Sequence, residues 1–168
     1  MTSNNKQSIT THEAPLCLHN ECVDSNWIDY NGHMNLAYYM LAFDHATDAF
    51  FDYIGLGIAY LETSKCSTFT LEAHITYDRE LMKNDPMRFE TQLLKYDKKR
   101  LHYVHMMYNA DKGYLASTNE LISLHVDLTD RRSKNMPQSI IDQLDQISIS
   151  HKLLPPPPQT GRVISIDR

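Results

Sequence analysis

Trp27-Ile28-Asp29-Tyr30-Asn31-Gly32-His33-Met34-Asn35-Leu36-Ala37-Tyr38-Tyr39 is the stretch in which the chain changes period. Before Asn35 the residues are those of a turn-rich connector. After it, Leu36, Met40, Phe43, Thr47, Phe50 and Ile54 recur three and four apart, with Ala37, Leu41 and Phe51 beside them. That spacing predicts an amphipathic helix with a wide apolar face. Asn35 has a short side chain that accepts from a first-turn N–H, so it is the expected N-cap. Gly55 and Gly57 are the expected stop. Asp44, Asp48 and Asp52 lie four apart and read as the solvent-facing edge of this helix, not as a metal site.

Downstream the period becomes two. In 68–77, Phe69, Leu71, Ala73, Ile75 and Tyr77 alternate with polar residues, as in a strand with one buried face. Asn84-Asp85-Pro86 is a turn signal, and 87–96 reads as the next strand. Residues 97–99 form a hairpin loop, 101–109 an aromatic-rich strand, Asp111-Lys112-Gly113 a further turn, and 114–126 the last strand. Upstream, Leu16 to Val23 is a candidate first strand. Pro137 opens a short helix with Ile140, Ile141, Leu144 and Ile147 on one side. A single long helix must bury its apolar face, and an antiparallel sheet is the surface available. The expected class is α+β, a curved antiparallel sheet wrapped around one long central helix.

The expected organisation is a disordered polar lead over 1–13, one domain over 14–150, and a proline-rich tail over 151–168 that forms no regular structure. A hydrophobic fraction of 42% against 22% charged residues is that of a globular domain, which excludes a disordered or membrane class. The net charge of -5 and the absence of a basic cluster argue against nucleic acid as a partner. The short runs Lys98-Lys99-Arg100 and Arg131-Arg132 are candidates for the phosphates of a nucleotide-bearing substrate. Three cysteines, an odd number without a framework, point to a reducing compartment. There is no apolar signal region and no membrane-length stretch, so the cytoplasm is expected.

The quoted stretch also carries the chemistry. Asp29 sits a few residues ahead of a glycine turn that feeds straight into the helix. The first helical N–H groups have no intrahelical partners and, with the helix dipole, can hold a developing oxyanion. A carboxylate beside them can act as general base or attack a carbonyl itself. Acyl transfer needs that pairing, although an Asp before Asn-Gly is also ordinary turn chemistry.

Asp29, Gly32, His33, Asn35 and Tyr39 resemble the motif of the hot-dog-fold thioesterases: Asp, two residues, Gly-His-Val/Met-Asn, then an aromatic residue. The resemblance covers about Leu16 to Asp127 and implies the hot-dog fold. In the 4-hydroxybenzoyl-CoA type it implies catalysis by the carboxylate matching Asp29 and polarisation of the thioester carbonyl by the Leu36 backbone N–H. His33 and Asn35 join the candidate catalytic set as members of the motif. A narrower resemblance rests on Ser67 to His74, Lys99-Arg100-Leu101-His102, Leu124-His125-Val126-Asp127, and Arg131-Arg132-Ser133 running on to Met136-Pro137. These segments are similar to the betainyl-CoA thioesterases of carnitine degradation. The implied reaction is betainyl-CoA plus water giving glycine betaine and coenzyme A, with no cofactor.

A trimethylammonium head is recognised by aromatic faces and a nearby carboxylate. Trp27, Tyr30, Tyr38 and Tyr39 flank the motif, and Glu72 and Glu120 sit mid-strand, so these six are the candidate substrate-binding residues. Cys17 to Cys22 brings His19 and Glu21 near two cysteines, but no fourth ligand is evident, and no metal is expected. His102 and His105 are three apart and should face opposite sides of their strand. The resemblance also implies a homodimer or homotetramer, the latter through strand faces bearing Thr70, Glu72 and His74. Two rival activities stay open. A hot-dog hydratase or dehydratase would want Asp-x-Asn-Pro-x-His, where Gly32 here replaces Pro. A non-catalytic acyl-CoA-sensing module would lack the carboxylate that Asp29 supplies.

Overall fold

The computed structural model describes residues 12–166. Most of the lead read over 1–13 lies outside them. The elements run β1 (Leu16–Cys22), a 3-10 turn at Ser25–Trp27, α1 (Leu36–Ile54), α2 (Ile58–Ser64), β2 (Cys66–Tyr77), β3 (Pro86–Tyr96), β4 (Arg100–Asn109), β5 (Leu115–Asp127), β6 (Arg132–Ser133) and α3 (Gln138–His151). The sheet is antiparallel in the order β1-β3-β4-β5-β2, with β6 paired to β5. β1 and β2 are therefore its long edges. This is the α+β hot-dog arrangement, a curled sheet around α1.

Helix α1 forms as its residues dictate. The Asn35 side chain accepts from the Ala37 N–H, and Gly55 closes the helix at φ 84°, a left-handed conformation that glycine adopts without strain. The buried stripe is Tyr39, Ala42, Phe43, Ala46, Thr47, Phe50, Phe51 and Ile54. It begins later than the sequence pattern places it. Leu36, Met40 and Leu41, expected on the apolar face, are instead exposed.

Two apolar clusters hold α1 to the sheet. One joins Phe50, Phe51 and Ile54 to Leu93, Leu101, Tyr103 and Leu121, with Ile140, Leu144 and Ile147 of α3. The other joins Met34, Tyr39, Ala42, Phe43 and Ala46 to Leu81, Met87, Phe89 and Met107. His105 sits between them, fully buried, with one ring nitrogen on Thr47 Oγ1 at 3.0 Å and the other on Thr91 Oγ1 at 2.8 Å. Thr47 already donates its hydroxyl proton to the Phe43 carbonyl. Its oxygen must then accept from His105 Nε2–H, and His105 Nδ1 must accept from Thr91. That pattern fits the neutral imidazole, and burial pushes His105 down to about 3. His102, on the opposite face as expected, pairs with Glu120 at 2.7 Å.

Three elements escape the sequence reading: the 3-10 turn, α2 and β6. The tail differs in a further way. It is irregular, yet it packs on the outer face of the sheet. Gln92 Nε2 donates to the carbonyls of Leu154 and Pro155, and the Gly161 N–H donates to Glu120 Oε2 at 2.6 Å. Pro157 and Gln159 are buried. No helix among the described residues is long and apolar enough to cross a membrane.

Candidate active site

The segment between β1 and α1 is a short hairpin-like excursion. Ile28 bridges Met34, the Asp29 N–H donates to the His33 carbonyl at 3.1 Å, and the Gly32 N–H donates to the Asp29 carbonyl at 3.0 Å. Gly32 takes φ 84°, which turns the chain back toward the helix. The Asn35 N–H donates to the Trp27 carbonyl and the Met34 N–H to the Leu81 carbonyl, both at 2.8 Å. These bonds fix Asp29 relative to the start of α1.

Asp29 is half-buried. Its Oδ1 accepts from the Asn31 N–H at 2.8 Å, while Oδ2 has no partner among the described residues. The Leu36 N–H, first of α1, likewise has no partner among them. Both residues line one cavity of about 420 Å³, with Tyr30, Asn31, His33, Met34, Asn35, Tyr39, and Tyr77 to Glu80 from the end of β2. A free carboxylate oxygen and a free helix N–H in one cavity are the two groups that acyl transfer requires.

The remaining expected residues divide. His33 lines the cavity. Asn35 lines it too, but its side chain caps α1. Tyr30 is exposed at the rim, and Tyr39 lies beneath with its ring edge-on to Tyr77, centroids 5.2 Å apart. Burial pushes the Tyr39 hydroxyl up to about 12, so it stays protonated. Trp27 and Tyr38 are absent from the cavity. They stack on one another at 5.4 Å and pack against the core. Glu72 and Glu120 are not brought to Asp29 within the chain. They line a separate cavity of about 340 Å³ with His74, His102 and Arg162, where Glu120 is already held by His102 and Gly161. The reason is register: Glu72 opposes Ile122 and His74 opposes Glu120, which puts both carboxylates along the middle of the sheet, away from the Tyr77 end.

Sequence reasoning missed the loop that closes the site. Asp78, Arg79 and Glu80 follow directly from Tyr77, the last residue of β2, and line the cavity opposite the Asp29 segment. The Arg79 guanidinium is drawn aside over the Tyr114 ring, 4.6 Å from its centroid. The Glu80 carboxylate has no partner among the described residues. The cavity thus carries three carboxylates, Asp29, Asp78 and Glu80, against one occupied guanidinium. An Asp-Arg-Glu run straight after an alternating strand was the available signal. A second cavity of about 500 Å³, between His74–Asp78 and Arg162–Ser165, lacks both the helix start and Asp29.

The segments that resemble the betainyl-CoA enzymes outside the motif perform structural work. His125 joins the Tyr60 hydroxyl of α2 at 2.9 Å to the Lys134 carbonyl at 2.8 Å. Lys134 pairs with Asp127 and holds its carboxyl down at about 2. Arg100 pairs with Asp97, and Lys99 donates to Ser133 at 3.2 Å.

Comparison with known proteins agrees with this geometry. Residues 23–144 match the profile of the thioesterase-like superfamily. The chain is 36% identical over 160 residues to the betainyl-CoA thioesterase of Pseudomonas aeruginosa, covering 95% of this chain and 96% of that one. It is 38% identical over 134 residues to an Agrobacterium fabrum L-carnitine dehydrogenase/betainyl-CoA thioesterase, of which it matches 27%. A Staphylococcus aureus protein solved in complex with CoA superimposes with TM-score 0.84 at 32% identity, covering 92% of this chain and 98% of that one. A 1,4-dihydroxy-2-naphthoyl-CoA thioesterase from Synechocystis shares the fold alone, at TM-score 0.67 and 12% identity over 76% of this chain and 93% of that one.

Proposed function

The chain belongs to the thioesterase-like superfamily and is an acyl-CoA thioesterase, and from that premise we propose that it hydrolyses betainyl-CoA to glycine betaine and coenzyme A, with Asp29 as its central group. The observation that carries the reading is the lining of the Asp29 cavity. Three carboxylates and Tyr30, Tyr39 and Tyr77 line the cavity in which the acyl group would lie. A quaternary ammonium cannot accept or donate a hydrogen bond, so it is read by charge and by aromatic faces. The similarity to the P. aeruginosa betainyl-CoA thioesterase supports the same choice.

In the reaction, water adds to the thioester carbonyl and the C–S bond breaks. On the general-base route, Asp29 Oδ2 takes a proton from water as its oxygen attacks. The carbonyl oxygen gathers negative charge against the Leu36 N–H and the positive end of α1. The thiolate leaves and is reprotonated. On the nucleophilic route, Asp29 forms an anhydride that water then opens. His33 stands at the cavity wall, and Asn35 keeps the helix start in place.

Assembly is part of the proposal. β2 is an edge strand, and Phe69, Leu71 and Tyr77 on it are exposed, as are Leu36 and Met40 of α1. Such an edge is a template for a second strand. We place a homodimer there, by antiparallel pairing of β2 with its copy. That pairing sets the Cys66 end of one strand beside the Tyr77 end of the other, roughly 36 Å along a 12-residue strand. Lys98, Arg131 and Arg132 are exposed at the Cys66 end. They would then reach the coenzyme A phosphates bound at the partner's cavity, which they cannot reach within one chain. A tetramer through the outer strand faces would have to accommodate the tail that crosses them.

The test is direct. Purified protein is incubated with betainyl-CoA, and free thiol and glycine betaine are followed together. Equal release of both is expected. No release, with hydrolysis of an aromatic or straight-chain acyl-CoA instead, would assign the enzyme another acyl group.

A further inference from the structure

We propose that His19, Glu21 and His45 form a binding site for a divalent transition-metal ion of the zinc type, clamping β1 to α1. His19 and Glu21 are two apart on β1 and so share one face of the strand. α1 packs on that face and contributes His45. Glu21 Oε1 lies 3.2 Å from His19 Nε2, and Glu21 Oε2 lies 3.1 Å from His45 Nδ1. One ligand atom from each residue lies within 4.8 Å of the other two, and all three residues are partly buried. No other such group of three occurs among the described residues.

The hydrogen bonding is incomplete without a cation. His19 Nε2 is shut off from solvent, and its approach to Glu21 is not directed as a hydrogen bond. The ring lies against Phe89, centroids 5.2 Å apart. A metal ion would satisfy that nitrogen, His45 Nδ1 and Glu21 Oε1, which lies 3.2 Å from each, at once. The donor set decides the class of ion. Two imidazoles and one carboxylate suit zinc and its neighbours, whereas magnesium and calcium want oxygen. Zinc–nitrogen bonds of about 2.0–2.1 Å put tetrahedral ligand atoms about 3.3 Å apart. The two glutamate–histidine edges already have that length. Only the histidine–histidine edge, which lies within 4.8 Å, must close.

The site is separate from the cavity that holds Asp29. His45 lies in the third turn of α1, and none of the three residues lines that cavity. Its consequence is mechanical: an ion there fastens an edge strand to the helix whose N-terminus faces the substrate. The expectation of no metal looked for a fourth ligand near Cys17–Cys22 in sequence. The third comes instead from a helix more than twenty residues away, and a solvent molecule can take the fourth position.

Chelator-treated full-length protein is tested by equilibrium dialysis against zinc, with Co²⁺ as a spectroscopic substitute. We expect one zinc per chain at micromolar concentration, and the visible absorption of tetrahedral Co²⁺. Glu21→Gln and His45→Asn, each folded by circular dichroism, should weaken binding at least about tenfold. Zinc should raise the Tm of the native chain and leave that of the variants unmoved. Absence of stoichiometric binding would reduce the cluster to an ion pair and overturn the proposal. Undiminished binding in the variants would overturn it equally, by placing zinc on other histidines or cysteines.

Discussion

The hydroxyl of Tyr39, in the first turn of α1, accepts a hydrogen bond from the backbone N–H of Leu81 at 3.1 Å. Leu81 is fully buried, and its carbonyl accepts from the Met34 N–H at 2.8 Å. The loop after β2 is thereby fastened to the Asp29–Met34 segment on one side and to the helix start on the other. Asp78 and Glu80 line the cavity with Asp29, held by this clamp and by the bonds of the Asp78 and Arg79 N–H groups to the Ala116 carbonyl. Tyr39→Phe keeps the ring but leaves a buried N–H unpaired, a loss of about 1–3 kcal/mol. Urea unfolding should show that loss, with a fall in kcat/KM for betainyl-CoA. An unchanged midpoint would mean that the clamp is not needed.

Asp29→Asn tests the chemistry. Asparagine retains an oxygen for the Asn31 N–H, so the turn should persist and the Tm should barely move. The group that takes a proton or attacks the carbonyl is gone. Turnover should fall at least about a hundredfold, the usual contribution of a positioned base. A folded Asp29→Asn protein with near-native hydrolysis would place the chemistry on another residue.

His105 sets an acid limit on stability. Burial holds it at about 3 in the folded chain, against about 6.5 in the unfolded one. Between those values the unfolded chain binds a proton that the folded chain refuses. Its contribution to stability is therefore complete above about pH 6.5 and is lost as the pH falls toward 3. His151, lowered chiefly by burial, acts in the same direction. Thermal melts from pH 7.5 to 4.5 should show a falling Tm, and His105→Gln should flatten the slope while lowering Tm at pH 7.5. Parallel slopes in the two proteins would remove His105 as the cause.

The β2 edge makes the assembly testable. Light scattering at micromolar concentration should give at least a dimer. Phe69→Lys with Leu71→Lys places two charges on exposed apolar positions of the edge, and should shift the population to monomer with loss of turnover. A monomeric native protein with full activity would refute the paired edge.

Much of the fold was legible because its signals are local. Asn35, the three-four stripe and Gly55 set the bounds of α1, and turn residues bounded the four long strands. The alternation read in 68–77 makes no buried face within the chain, where Phe69, Leu71 and Tyr77 are exposed because β2 is an edge strand. α2 was missed because seven residues between Gly57 and Lys65 carry too few turns for a period to emerge. β6 is two residues long and exists only through pairing with β5. At the site, Asp29 and the helix start are close in sequence, so both could be read together. The cavity's far wall comes from 77–80, some fifty residues later, and only the folded sheet brings it there. Glu72 and Glu120 were drawn in by residue type and mid-strand position. Which end of a strand faces the helix N-terminus depends on register, and composition does not encode register.

Recognition of the cationic acyl group is tested most directly by comparing kcat/KM for betainyl-CoA with that for 3,3-dimethylbutanoyl-CoA. The two acyl groups differ by nitrogen for carbon, so shape is kept and charge removed. A desolvated contact between the cation and aromatic faces is worth roughly 2 kcal/mol, about thirtyfold in kcat/KM when it persists in the transition state. A preference for betainyl-CoA of at least that order is expected. Equal values for the two substrates would contradict it, and would leave an acyl-CoA thioesterase whose carboxylate-lined cavity serves some other purpose.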